Sequence, residues 1–333
     1  MLDKYLKIII AFLLIQFPKV LFAIPYVYTP FNYPNSIATA PWDINDAGDI
    51  VGEYALERGM GKAFVYINSV FISIEIPGAI YSSARGINNL GDIVGTYIDN
   101  KGQTHGFIYK NGNLTTYDVR IAEATRTILT GINDAGYILG MYDDGSGNLY
   151  GFLDANGNLS IINFGTDSTF TSGINNNNQI VGVYRPGTIT NRGYLYENGI
   201  FSTVPPIETQ SQAFDINDAG YIVGDCYLSG RRLGFLYDGI DITLFNYSGS
   251  TGTYLLGINN KGVIVGAYTD NSLGFSRSLG FVATPVPEIS TLLLFLSGLI
   301  IYFIFLKFLK SNFLTPTYRT STPNAAKYSA TPF

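Results

Sequence analysis

The chain has one cysteine, Cys226, and one histidine, His105. A lone cysteine rules out a disulfide within the chain and any cysteine-based metal cluster. A lone histidine means that a Ser-His-Asp triad or a His-rich metal site would have to run through His105. Charge is also sparse: 14% of residues are charged, the formal net charge is −5, and no basic stripe is visible. This argues against nucleic acid as a partner. Helical periodicity is missing from the middle of the chain. Between two apolar ends lie about 260 residues rich in Tyr, Phe, Ile, Thr, Gly and Asn, enough for one large all-β domain with a substantial core.

That middle part is built from one element repeated six times: Ile-Asn, a tight polar turn, Ile-Val-Gly or a variant, then Tyr. The copies are Ile44–Tyr54, Ile87–Tyr97, Ile132–Tyr142, Ile174–Tyr184, Ile216–Cys226 and Ile258–Tyr268. The leading Ile steps by 43, 45, 42, 42 and 42 residues, a period that marks stacked or radially arranged units. Cys226 fills the slot where the other five copies carry Tyr, which marks it as a packing residue. Five copies carry Gly in the turn, at Gly48, Gly91, Gly136, Gly220 and Gly262, while the fourth has Asn178. Asn is the best non-glycine occupant of a left-handed position, so the exception supports the turn.

Each unit reads as four strands. Ile-Asn ends the first and Ile-Val-Gly-x-Tyr forms the second. After a variable polar loop an aromatic third strand follows, carrying Phe64, Phe107, Phe152, Tyr194 or Phe235. Hairpin signals at Asn111-Gly112, Asn156-Gly157, Asn198-Gly199 and Asp238-Gly239 lead into a fourth. Four short strands per unit match the blade of a β-propeller. The sixth unit runs into Thr284-Pro285-Val286-Pro287 without a fourth strand of its own. An orphan stretch, Ile24–Ser36, precedes the first unit, and its Phe31-Asn32-Tyr33 lies 13 residues before Ile44, as Phe245-Asn246-Tyr247 lies 13 before Ile258. The expected fold is therefore an all-β six-bladed propeller closed by the N-terminal strand, which removes the free edges. A β-solenoid is the runner-up, and it would not need this offset.

The repeat, with its following Gly-Phe-[Ile/Leu/Val]-Tyr, resembles the HAF repeats of bacterial extracellular proteins over most of Ile24–Val282. The resemblance implies a secreted or surface-attached protein and assigns no chemistry. The segment after the last unit, Thr284–Lys310, is similar to the PEP-CTERM sorting signal, with Val286-Pro287-Glu288 as the motif, an apolar helix and then Lys307 and Lys310. That similarity implies recognition by an exosortase and transfer to the cell surface or the exopolysaccharide matrix. Ile289 stands where the family has its second Pro, lysines replace its Arg cluster, and 23 further residues follow. Cleavage and permanent anchoring are both left open.

The ends point the same way. Lys4 and Lys7 precede an apolar run, and Ala23 suits a cleavage site. The second apolar run is near the minimum for a hydrocarbon core of about 30 Å, and its C-terminal lysines favour a cytoplasmic end. The expected organisation is a signal peptide at 1–23, the propeller at 24–283, a linker with the sorting-like motif at 284–291, a transmembrane helix at 292–306 and a disordered tail at 307–333.

Candidate chemistry is thin. Asp46, Asp49, Asp134 and Asp218 could be read as cation loops, yet copies two, four and six lack one or more of these acids, and a calcium site needs about six to eight converging oxygens. No metal or other cofactor is expected. His105 opens a third strand where other copies carry Lys62, Tyr150, Arg192 and Leu233, as a strand-edge residue would. Asp43 and Asp215 precede Ile-Asn where four copies have Gly, on the strand that lines a propeller's channel, and are candidate channel groups. The tight turns fall on one side of the ring and the variable loops on the other. Candidate ligand-face residues are Arg58, Asp99, Lys101, Asp144, Tyr150, Arg185, Arg192, Arg231, Arg232 and Asp270.

The expected function is a non-enzymatic binding or structural propeller, exported and held at the membrane or released to the surface or matrix. Its expected partners are the membrane, an exosortase, and polysaccharide or surface proteins. The alternative is a propeller-type hydrolase or lactonase, in which Asp43 and Asp215 would converge with Asn or Glu side chains on the axis.

Overall fold

The structure, a computed structural model, describes residues 26–286 apart from 123, 166–167, 186–189, 206–209 and 273–275, together with Phe303 and Lys307. The expected signal peptide, Pro287, Glu288, and nearly all of the expected helix and tail lie outside the described residues. Among those described, no helix is long and apolar enough to cross a membrane.

Six four-stranded antiparallel sheets are arranged as blades, and blade n carries copy n of the repeat. The inner strands are Ala38–Ile44, Ala79–Ile87, Arg126–Ile132, Thr169–Ile174, Ser211–Ile216 and Thr253–Ile258. In blade 6 the outer strand is the N-terminal Tyr26–Pro30, which pairs antiparallel with Arg277–Pro285 in the register Tyr26↔Pro285 through Pro30↔Phe281. The displaced strand thus closes the ring. Thr284 and Pro285, assigned from the sequence to the linker, belong to this last strand because Tyr26 and Val27 pair with them.

The turns behave as their residues demand. Gly48, Gly91, Gly136, Gly220 and Gly262 have φ between 74° and 90°, and Asn178 takes φ 61° in the same place. Asn111-Gly112, Asn156-Gly157 and Asn198-Gly199 are left-handed at both residues, which suits the twist of a two-residue hairpin. In blade 1 Asn68-Ser69 does the same without a glycine.

The Asn of Ile-Asn explains why the copies share it. Its Oδ1 accepts the N–H four residues on, closing its own turn, for example Tyr221 N to Asn217 at 3.0 Å. Its Nδ2 donates to the carbonyl of the same Asn in the next blade. Asn45 donates to Asn88 (3.3 Å), Asn88 to Asn133 (3.1 Å) and Asn133 to Asn175 (3.3 Å). Asn175 donates to Asn217 (2.9 Å), Asn217 to Asn259 (3.1 Å) and Asn259 back to Asn45 (3.0 Å). The six amides form a closed buried ring. Only a side chain with both an acceptor and a donor can hold its own turn and its neighbour at once.

The next residue makes a second ring on the surface. It alternates Asp46, Asn89, Asp134, Asn176, Asp218, Asn260 around the six blades. Each Oδ1 accepts a backbone N–H from the preceding blade at 2.8 Å. Asn176 Nδ2 bridges Asp134 and Asp218, and Asn260 Nδ2 bridges Asp218 and Asp46. Alternation keeps carboxylates from being neighbours and gives them amide donors. This is why copies two, four and six lack the acid.

Within each blade the Gly of Ile-Val-Gly pairs with the third-strand aromatic. The pairs are Gly52↔Phe64, Gly95↔Phe107, Gly140↔Phe152, Gly182↔Tyr194, Gly224↔Phe235 and Gly266↔Phe281. All six aromatics are fully buried. A β-carbon on Gly52 would lie 2.8 Å from the Phe64 ring, so the glycine is the floor on which the ring rests. The cores lie between blades. Val51, Val65 and Ile74 of blade 1 pack with Ile87, Ile93 and Phe107 of blade 2, and Val265 of blade 6 packs with Ile44, Ile50 and Phe64 of blade 1. Cys226 is buried and unpaired in the core shared by blades 4 and 5, as a packing residue would be.

Candidate functional site

Every inner strand carries a β-bulge at one position, two residues before the leading Ile. The register skips Trp42, Arg85, Thr130, Ser172, Phe214 and Leu256. A bulge leaves its residue out of the ladder and re-aims its side chain. All six line the central channel, where they form a ring of unlike residues inside a nearly uniform frame.

Above this ring, toward the loops that join second to third strands, the channel widens into a cavity of about 260 Å³. Phe170, Met141 and Val183 add apolar wall; Thr171, Gln212, Asn191 and Arg185 add polar groups. The Arg85 guanidinium lies 3.9 Å over the Trp42 ring. Arg185 donates Nε–H to Asn191 Oδ1 at 3.2 Å. Three polar atoms on the bulge ring are buried without a hydrogen-bond partner: Trp42 Nε1, Arg85 Nε and Thr130 Oγ1.

Below the ring the channel narrows to about 20 Å³, room for about one water. Here Asp43 of blade 1 and Asp215 of blade 5 face the axis, brought together across the ring. Asp43 accepts N–H groups from Ile44 (2.7 Å) and from Ile87 of the next blade (2.8 Å). Asp215 accepts the N–H of Ile258, also in the next blade, at 2.8 Å. Burial pushes the Asp43 carboxyl up to about 6 against those donors. Burial first, and the Asp43 charge second, hold Asp215 well above the usual carboxylate range. The remaining neck residues are Gly131, Ile132, Gly173 and Ile174 with the bulge ring; no further acid, histidine or amide side chain is present at this level. At the far mouth Asp43, Asp215 and the Ile-Asn-[Asp/Asn] triplets line a shallow opening of about 60 Å³.

The loop candidates do not converge. Of the ten, Arg185 alone lines the cavity. Arg232 is paired with Asp225 at 2.8 Å and Arg277 with Asp270 at 2.7 Å, each bracing neighbouring strands. Arg231 donates to the Ser250 carbonyl at 3.1 Å. Asp99 accepts the N–H groups of Lys101 and Gln103, and Asp144 those of Ser146, as turn-forming acids do. Tyr150 packs on Tyr142. Arg58 lies in a loop of blade 1 and Arg192 opens the third strand of blade 4. His105 sits between Asp118 (3.0 Å) and Asp99 (3.8 Å) over Tyr97, on blade 2 and away from the cavity lining.

The bulge ring is what reading the sequence missed. Its signal was present: the residue two before the leading Ile differs in all six copies while the residues after it hardly vary. Among the described residues no cluster of acids, histidine and cysteine is arranged to hold a metal ion.

No family model matches the chain, and no curated protein sequence is significantly similar to it. Among solved structures, the SapL1 lectin in complex with alpha methyl fucoside aligns with a TM-score of 0.52 at 9% identity, covering 77% of this chain and 98% of the lectin. TolB from Acinetobacter baumannii aligns with a TM-score of 0.48 at 14% identity, over 62% of this chain; the match spans about half of that TolB chain (54%). The Aleuria aurantia lectin with alpha-methyl-L-fucoside aligns with a TM-score of 0.46 at 11% identity, covering 78% and 99%. The SapL1 likeness is one of fold.

Proposed function

We propose that this chain is a non-enzymatic propeller that binds a polar ligand in the channel mouth on its variable-loop face. One observation carries the reading: the 260 Å³ cavity there, whose lining gathers Arg85, Arg185, Asn191 and Gln212 among apolar walls. Aromatic walls with a few convergent polar groups are the usual make-up of a small-molecule site. Polysaccharide or a surface protein suits a chain rich in Tyr and sparse in charge. The apolar ends and the HAF-like and PEP-CTERM-like segments support display outside the cell, with exosortase processing or anchoring by the C-terminal segment. The hydrolase alternative would rest on Asp43 and Asp215. Their oxygens accept hydrogen bonds from backbone N–H groups, and the amides of the Asn-rich opening that they also line are engaged in the blade-to-blade ring.

Trp42 is the only tryptophan in the chain, so its fluorescence reports on this cavity alone. Titrating the full-length protein with a panel of soluble polysaccharides should change its emission saturably and leave the glycan intact by chromatography. Turnover that Asp43→Asn removes would replace this reading with the hydrolase one. For the anchor, mass spectrometry of the membrane fraction decides: an intact Phe333 sinks the sorting hypothesis.

A further inference from the structure

The charges at the cavity are one-sided. Among the described residues two arginines line it, Arg85 and Arg185, and no carboxylate does. Among the described residues neither forms an ion pair within 4.0 Å, although five other Lys or Arg side chains do. The acids that come near are engaged elsewhere: Glu53 bonds the Tyr81 hydroxyl, and Asp43 and Asp215 lie a layer deeper in the neck, holding backbone N–H groups.

The pose of Arg85 matters as much as its charge. Its guanidinium lies over the Trp42 ring, with Cζ 3.9 Å from the ring centroid. Nε is buried without a partner, and the Nη edge is the part of the group that can reach a bound anion. That edge is the one that meets a carboxylate bidentately. Asn191 and Gln212 line the same cavity with side chains that can both donate and accept. Phe170 and Phe214 supply apolar walls in the same cavity. The volume, about 260 Å³, is just under the range of about 300–1,000 Å³ usual for small-molecule sites and suits a single ring more than an extended chain.

We infer that the cavity binds an acidic sugar unit, its carboxylate held by Arg85 and Arg185, its hydroxyls by Asn191 and Gln212, and its apolar ring face against Phe170 and Phe214. This rests on the ligand-binding reading above and narrows it to one class. Recognition is at a chain end or a single residue, because the neck below the bulge ring admits no more than a water.

Trp42 emission of the full-length protein, titrated with D-glucuronic acid, D-glucose and inorganic phosphate, tests the inference. The expected result is saturation by glucuronate with an affinity at least tenfold above glucose and above phosphate, weakened by added salt. Arg85→Gln should lose most of that tenfold preference while its melting temperature is unchanged. Arg185→Gln, at the more exposed residue, gives the same direction if Arg85→Gln fails to fold. Equal binding of glucose and glucuronate overturns the acidic-sugar inference and leaves the binding reading standing. Phosphate binding as tight as glucuronate overturns the sugar. No response to any of these, nor to the polysaccharide panel, overturns both.

Discussion

The ring of six buried amides makes a quantitative prediction. Asn217 is 5% exposed. Its Oδ1 accepts the N–H groups of Ala219 (3.1 Å) and Tyr221 (3.0 Å), and its Nδ2 donates to the Asn259 carbonyl (3.1 Å). Asn217→Ala removes three hydrogen bonds, each with a net value of about 1 kcal/mol, and leaves a buried carbonyl short of a donor at about 1–3 kcal/mol. The expected loss is about 3–5 kcal/mol, which for a domain of this size lowers the melting temperature by about 10 °C or more. Urea unfolding followed by far-UV circular dichroism measures it. Asn176→Ala is the control, because the Asn176 side chain makes three comparable bonds in the exposed Asp/Asn ring, where water replaces them; it should cost about 1 kcal/mol or less. Asn217→Asp separates the two jobs: the turn acceptor survives and the donor to blade 6 is lost, so at neutral pH a buried carboxylate faces the Asn259 carbonyl. It should be at least as damaging as the alanine and should recover in acid. Equal costs for Asn217→Ala and Asn176→Ala, or a cost for Asn217→Ala below about 1 kcal/mol, would refute the claim that the amide ring ties the blades together.

Three further expectations can be checked on the same preparation. Asn176→Asp places three carboxylates side by side at Asp134, 176 and Asp218 and removes the amide donor that bridges them; it should cost about 1–2 kcal/mol at low salt and less in 1 M salt, read by urea unfolding. Gly86→Ala puts a β-carbon 2.8 Å from Gly131 Cα in the next blade, where only backbone can yield; a loss of about 1–3 kcal/mol in thermal unfolding is expected, and a neutral result would deny the tightness of the neck. The raised carboxyl of Asp43 favours the folded state only while protonated. Its contribution is therefore complete below about pH 4 and is lost as pH rises through about 6. Asp43→Asn should flatten the fall in melting temperature between those values, and an unchanged slope would contradict the burial of that group.

Much of the architecture can be read from the repeat. The turn glycines, with Asn178 as the exception, report left-handed backbone, and the structure has it at all six places. Gly paired with an aromatic recurs because a ring needs a flat floor, and the aromatic third strand follows from it. The displaced N-terminal strand was visible in the matching 13-residue intervals at Phe31 and Phe245. The variable loops read less well. Arg231, Arg232 and Asp270 looked like free loop charges in the sequence, but in the fold Arg232 and Asp270 brace strands and Arg231 caps a carbonyl.

By itself, then, the sequence determined the blade, its number and its closure. These follow from local rules, in which turn residues set φ, strand periods set faces, and a fixed period stacks identical units. Only the tertiary structure decided what the ring encloses. Trp42, Arg85 and Thr130 are more than forty residues apart in sequence, and Asp43 and Asp215 belong to copies one and five. They meet because six bulges point at one axis. No local pattern encodes which side chains face one another across that axis. The cavity is a property of ring closure, so its chemistry could be read only once the ring was closed.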